Sequence, residues 1–236
     1  MNLQEKYYIK RLYLFQDGVL NIVKKLNTDF YLTGGTALSR GYFHHRYSDD
    51  LDLFMNQRDD YSQNVQLLLK GFEKAQKNGE FSIDYNHLQK FENYTQFMLL
   101  KRIENEDISL KVDVVNDIAV RYGDLHHDVL LGKIDSWQNI LSNKLAAIFR
   151  YEAKDVADIW TIAKQRQFEW MNLVQEAKTK EAAIDPVLLF EILKSFPESE
   201  LSYVKWITPV DSGVFKIELD QIAEDILHGR HNTLGV

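Results

Sequence analysis

Apolar positions recur at helical spacing from residue 3 to residue 26. Leu12, Phe15, Val19 and Val23 run beside Tyr7, Leu14, Gly18 and Ile22, which predicts an amphipathic helix. The segment DFYLTGG reads as a short strand ending at a glycine turn, and TALSRGYF as a short helix. DDLDLF alternates polar and apolar, as a half-buried strand does. A second helix is predicted over residues 61–77. Three strands then follow in succession, EFSIDYNHL, YTQFMLLKRI and ISLKVDVV. From about Ser136 onward the pattern is nearly all helical. IDPVLLF marks one start there, with Asp185 as N-cap and Pro186 at the first helical position. The expectation is an α+β protein with one boundary near residue 134. Residues 1–134 form a mixed sheet with flanking helices, and residues 135–236 a helical bundle.

Composition narrows this picture. A chain of 236 residues can bury a sizeable core without covalent staples. It contains no cysteine, so disulfides and thiolate metal sites are excluded. The N-terminal stretch MNLQEKYYIKRLYLF spreads its charges and is not a signal peptide. No run approaches the ~18 apolar residues that a membrane span needs. The expectation is a soluble, cytoplasmic protein with no membrane partner. The net charge of −7 argues against a dedicated nucleic-acid coat protein. A local excess of basic groups, Lys6, Lys10, Arg11, Lys24 and Lys25, reads as a solvated helix face.

Candidate chemistry lies in YLTGGTALSRGYFHHRYSDDLDLF, Tyr31 to Phe54. Strand alternation puts Ser48, Asp50, Asp52 and Phe54 on one side and Asp49, Leu51 and Leu53 on the other. Two leucines want the core, so Asp49 reads as a solvated or capping residue. Asp50 and Asp52 point the same way, roughly 7 Å apart at Cα, and can converge on one divalent ion. Mg²⁺ suits such a pair, because it takes a few carboxylates together with water and phosphate oxygens. Gly34 and Gly35 follow a strand and precede a helix. They form either a plain tight turn or a place where backbone N–H groups approach a phosphate. In SLKVDVV, Asp113 is acidic in the middle of an apolar strand. It is either an edge residue facing water or the third carboxylate of a metal site. Asp84 is a rival from a more polar strand.

These residues carry a family resemblance. GGTAL, then HR, then S-x-DLDLF resembles the signature of the nucleotidyltransferase superfamily in its AbiEii/AbiGii toxin branch, which includes abortive-infection and toxin–antitoxin toxins. The resemblance is specific over residues 31–54 and extends to Asp113 and to residues 142–159. It implies a polymerase-β-like core and transfer of a nucleotide from an NTP to an acceptor, the tRNA 3′ end in relatives. It also implies Mg²⁺ or Mn²⁺ as cofactor, with Asp50, Asp52 and Asp113 as metal ligands. A cognate antitoxin is an implied partner.

A second cluster lies in SNKLAAIFRYEAKDVADIW. Trp137, Leu141, Lys144 and Ile148 fall on one helical stripe. A lysine there either snorkels to the surface or reaches into the cleft to bind triphosphate. The family has a lysine at the matching place and a recurring K-D-x-x-D, matched by Lys154, Asp155 and Asp158. Local physics reads Asp155 as an N-cap with Asp158 in the first turn. Arg46 either faces phosphates or makes a structural ion pair with a nearby Asp, and Arg150 either contacts phosphate or RNA or pairs at the surface. The adjacent pairs His44–His45 and His126–His127 point apart and suit loop or supporting roles. The catalytic set is then Asp50, Asp52, Asp113, Lys144 and Asp158. The nucleotide-binding set is Gly34, Gly35, Thr36, Arg46, Ser48 and Lys144. Two rivals remain: an antibiotic-type enzyme modifying a small-molecule hydroxyl, and a protein that binds nucleotide or a partner without turnover.

Overall fold

The computed structural model describes residues 1–235. It comprises two compact units. The first holds Met1–Gly41, Ser48–Ala119 and Leu125–Asp135, and the second Tyr42–Tyr47, Val120–Asp124 and Ser136 onward.

The first unit is built on a mixed sheet. Its strands are β1 (Tyr31–Thr33), β2 (Leu51–Asn56), β3 (Ser82–Ile83), β4 (Gln89–Lys90), β5 (Tyr94–Ile103), β6 (Glu106–Asp117), β7 (His126–Asp128) and β8 (Gly132–Ile134). They lie in the order β3-β5-β6-β2-β1-β8-β7, with β4 beside β5. The β2–β6 and β1–β8 pairs are parallel, and the others are antiparallel. Leu51 stands opposite Val112 and Leu53 opposite Val114, all fully buried. The predicted alternation is therefore what orients β2 and β6.

Helices cover the apolar face of this sheet. They are α2 (Tyr13–Lys25) and α4 (Tyr61–Lys77); α1 (Leu3–Tyr7) precedes α2 and buries none of its residues, and a one-turn helix, α3 (Gly34–Thr36), follows β1. Phe72 of α4 meets the edge of Phe97 on β5 at 5.2 Å, and Phe15 of α2 packs on Phe81 at 5.6 Å. Burying aromatic side chains of this size contributes about 1.5–3 kcal/mol each. The single helix expected over residues 3–26 carries a π-turn, Tyr8–Leu12, between α1 and α2. A second π-turn, Ala37–Phe43, continues α3. The first expected strand shrinks to Ser82–Ile83, because Asp84 caps a 3₁₀ turn by accepting the Asn86 N–H. The Asp84 carboxylate bonds locally there, to Asn86 and to His87.

The second unit is helical. It contains α5 (Trp137–Ala146), α6 (Ala153–Gln165), α7 (Trp170–Lys180), α8 (Pro186–Ser195) and α9 (Ser212–Leu227). Ser136 caps α5 and Asp185 caps α8, with Pro186 at its first position as expected. The expected bundle is seen in part, in the packing of α8 on α9. Among the described residues no helix is long and apolar enough to cross a membrane.

Candidate active site

The polar face of the first unit's sheet carries a row of residues in register. Thr33 of β1 stands opposite Asp52 of β2, Asp52 opposite Asp113 of β6, and Asp113 opposite Gln96 of β5. The same alternation that buries Leu51, Leu53, Val112 and Val114 turns these residues the other way. Asp50 lies one residue before β2 begins, so the loop fixes it rather than the ladder. Thr36 holds that loop. Its hydroxyl donates to the Asp50 carbonyl at 2.5 Å and lies 2.9 Å from Ser48 Oγ. Gln16 adds two bonds, to the carbonyls of Ser48 and Asp49 at 3.1 and 2.9 Å.

Asp49 differs from expectation. Its carboxylate accepts the hydroxyl of buried Tyr8 at 2.5 Å, so it anchors the loop to the N-terminal helix. Burial and this bond together raise the Tyr8 pKa.

Gly34 is required by contact as well as by conformation. Its φ is +67°, and a Cβ there would overlap Asp52 Oδ2. The turn therefore lies directly against the Asp52 carboxylate, with Gly35 and Thr36 buried behind it.

Sequence reasoning passed over two neighbours of Asp113. The Lys111 ammonium is 2.8 Å from Asp113 Oδ2 and 3.4 Å from Asp50 Oδ2. The Tyr94 hydroxyl donates to Asp113 Oδ1 at 2.9 Å. Burial and then this bond push the Tyr94 pKa up to about 12. Alternation alone had put Lys111 on the face of Asp113, and that was the available signal. Burial pushes the Asp50 carboxyl above its ordinary value, with Lys111 opposing and Asp49 reinforcing the shift.

Among the described residues no three His, Cys, Asp or Glu side chains gather closely enough to hold a metal ion by themselves. The donor set nevertheless fits a hard cation. Asp50 and Asp113 already converge on one positive charge, the Lys111 ammonium. Mg²⁺ needs only one or two carboxylates when substrate phosphates complete its shell.

The second unit holds the other predicted residues in a buried ion network. Arg46 donates through Nε and Nη2 to the two oxygens of Asp158, at 2.7 and 2.8 Å. Of the two readings of Arg46, the ion pair is the one realised. His45 Nε2 lies 2.8 Å from Asp158 Oδ1. The Lys144 ammonium is 2.6 Å from Asp155 Oδ1 and 2.9 Å from Asp158 Oδ2, and Arg150 pairs with Asp155 at 2.6 Å. Lys144 thus does not snorkel; its side chain is only 9% exposed.

Asp155 is not an N-cap. Glu152 occupies that position, and Asp155 lies inside α6, buried against Lys144. Asp158 follows beyond the first turn, with no exposed surface. Burial alone would raise its pKa, but Arg46 and Lys144 hold it well below the ordinary carboxylate value. Burial likewise pulls Lys144 down, and Asp158 and Asp155 more than offset this, so its pKa is raised.

A glycine turn closed against an Asp-x-Asp strand, with another carboxylate in register, is the arrangement expected of a nucleotidyltransferase. The comparisons with known proteins agree. The family model for the nucleotidyl transferase AbiEii toxin of type IV toxin–antitoxin systems matches residues 21–206, and the chain belongs to that family of nucleotidyltransferases. No curated protein matches it. Two crystal structures from Helicobacter pylori share the fold. JHP933 is 20% identical, with 92% of this chain and 93% of that one covered and a TM-score of 0.59. A candidate nucleotidyltransferase is also 20% identical, with 91% and 94% covered and a TM-score of 0.58.

Proposed function

We propose that the chain transfers a nucleotide from an NTP to an acceptor hydroxyl with Mg²⁺ or Mn²⁺, through a polymerase-β-like core in residues 1–134 followed by a helical domain in residues 135–236. The observation that carries this reading is the register of Asp52 with Asp113, beside an Asp50 carboxylate that shares a cation with Asp113. Asp50, Asp52 and Asp113 would hold the metal, whose chemistry is to neutralise phosphate charge. Asp113 takes the proton of the acceptor hydroxyl. The acceptor oxygen then bonds to the α-phosphorus in line, and the bond to the bridging oxygen breaks, releasing pyrophosphate. The Gly34–Gly35 turn, with Thr36 and Ser48, brings backbone N–H groups to the triphosphate. Lys144 and Asp158 belong to the same proposed catalytic set, and Arg46 is held in its ion pair with Asp158. Positioning and charge neutralisation carry most of the rate.

The acceptor we infer is the 3′ end of tRNA, and the biological role that of a toxin in abortive infection, acting in the cytoplasm and held in check by a cognate antitoxin. Family membership supports the role. The net charge of −7 favours a small-molecule acceptor instead. Incubation with labelled NTPs, Mg²⁺ and either total tRNA or a panel of small hydroxyl compounds separates the two. Label on tRNA that disappears in Asp52→Ala is the expected result. Transfer that survives Asp52→Ala overturns the metal assignment.

A further inference from the structure

The sheet face that carries the carboxylate row runs on past Asp113. Gln96 of β5 stands opposite Asp113, and Tyr94 stands opposite Val115 of β6. On the other side of β5, Gln89 of β4 stands opposite Gln96 and Lys90 opposite Thr95. The Phe91 N–H donates to the Tyr94 carbonyl at 2.7 Å, which closes a hairpin over Glu92 and Asn93 and pairs Phe91 with Tyr94. Alternate residues share a face, so Gln89, Phe91, Tyr94 and Gln96 lie on the side of Asp52 and Asp113. Thr95 and Phe97 take the buried side.

This hairpin presents an aromatic pair on a fixed support. The rings of Phe91 and Tyr94 stack, with centroids 6.2 Å apart and planes 25° apart. Tyr94 is held in place by its hydroxyl, which donates to Asp113 Oδ1 at 2.9 Å. The turn is tied to β6 as well. Asn116 donates through its backbone N–H to the Asn93 carbonyl at 2.9 Å and through Nδ2 to Asn93 Oδ1 at 3.0 Å.

Phe91 is nevertheless 64% exposed. Its cross-strand contact with Tyr94 accounts for part of the ring, as such pairs do in hairpins, and leaves the rest in water. A flat apolar ring at a fixed, solvated position on a polar face suits a flat partner. Nucleobases stack on such rings whatever their identity, because every base has a π-face. The two ends of the row differ in what they adjoin. The Gly34 turn abuts Asp52 at one end, whereas Tyr94 and Phe91 lead away from Asp113 at the other. In the reaction proposed above, the turn meets the triphosphate and Asp113 meets the acceptor hydroxyl. The aromatic pair therefore lies on the acceptor's side.

We propose that Phe91, backed by Tyr94, is a stacking shelf for the unpaired terminal base of a nucleic-acid acceptor. The choice of the acceptor's base rests on the nucleotidyl-transfer reading. Tyr94 joins the shelf to Asp113 through one hydrogen bond, so a base seated on Phe91 and the hydroxyl of its own sugar are placed from the same carboxylate. Stacking does not read base identity. The shelf selects an acceptor that has a free base beside its reacting hydroxyl over a small hydroxyl compound that has none.

The test uses the whole protein with Mg²⁺ and no NTP, so that no transfer takes place. Two short single-stranded RNAs are compared, identical except that one carries a base on its 3′-terminal sugar and the other is abasic there. The wild type is expected to bind the base-bearing RNA about 5-fold or more tightly. Phe91→Ala should bind both alike, and Phe91→Trp should keep the preference. Phe91 is exposed, so neither change disturbs the core. In turnover with tRNA, Phe91→Ala should raise KM for tRNA and leave KM for the NTP unchanged. Equal binding of the two RNAs by the wild type, or binding of neither, overturns the shelf. A preference that survives Phe91→Ala overturns it too, and so does a rise confined to KM for the NTP. Base-dependent binding without any transfer to tRNA leaves the shelf standing and removes the catalytic reading instead.

Discussion

Asp52 and Asp113 face each other as direct partners across the parallel pair β2–β6, although sixty-one positions separate them in the chain. Leu51–Val112 and Leu53–Val114 on the buried side fix that register. A slip of one residue would bury both aspartates and expose the leucines. The hydrophobic core therefore sets the position of the carboxylates.

Asp50→Asn is expected to separate stability from activity. Burial and Asp49 make the ionised Asp50 carboxylate unfavourable, more than Lys111 compensates, so its pKa is raised. A neutral isostere removes that cost. The variant should melt at a higher temperature than the wild type while losing transfer by about 10²–10³. A lower melting temperature would mean that the Lys111 contact outweighs burial.

The same shift predicts a pH dependence of rate. A carboxylate that must be ionised to take up a cation, and whose pKa in the metal-free protein lies above the ordinary 3.8, places the acid limb of the rate at subsaturating Mg²⁺ above that value. In Asp49→Asn one of the groups raising it is gone, and the limb should move to lower pH. An unmoved limb would assign it to another group.

Lys111 occupies the point on which Asp50 and Asp113 converge. Lys111→Met leaves those charges without their internal counter-ion. The variant should be less stable than the wild type in EDTA and should gain more from added Mg²⁺. The half-saturating Mg²⁺ concentration in a thermal-shift titration is expected to fall. If it rises, Lys111 assists the cation instead of competing with it.

Much of this was legible in the sequence, and the failures share a cause. Helix α4 and strand β5 have the bounds that periodicity gives, because each buries one continuous face. The β7–β8 hairpin was missed because its strands are three residues long and β8 is held in the sheet by the distant strand β1. Asp50 and Asp52 were legible as a pair, but the Tyr8 bond that anchors their loop comes from forty-one residues away. Lys144 was readable as an anomaly on an apolar stripe. Its burial depends on Asp155 and Asp158 one helix later and on the Arg46–Asp158 pair, which local spacing does not reveal.

Gly34→Ala tests whether the turn acts through Asp52. The added methyl overlaps Asp52 Oδ2 and strains a backbone at φ +67°. Transfer should fall with little change in helix content by circular dichroism. Gly35→Ala should be milder if Gly34 alone abuts the carboxylate. Equal loss in both variants would assign the effect to the backbone of the whole turn.

Asp158→Asn should destabilise the second unit's core as well as stop the reaction. The carboxylate accepts from Arg46 and pairs with Lys144 in full burial. Removing its charge leaves two buried cations with less compensation, a loss of about 3–5 kcal/mol. The sign of the pH effect follows from the depressed pKa. Its stabilising contribution is complete above the ordinary carboxylate value of 3.8 and is lost as pH falls below that towards its lower folded value. Lys144, with a raised pKa, contributes fully below its ordinary 10.5 and loses that only on the alkaline side of its folded value. Between these limits the network adds a flat term to stability. Denaturant midpoints for wild type and Asp158→Asn should therefore differ by a constant amount from about pH 5 to pH 9, and converge in acid. A difference that instead changes between pH 5 and pH 9 would show that the charge of Asp158 does not control the network.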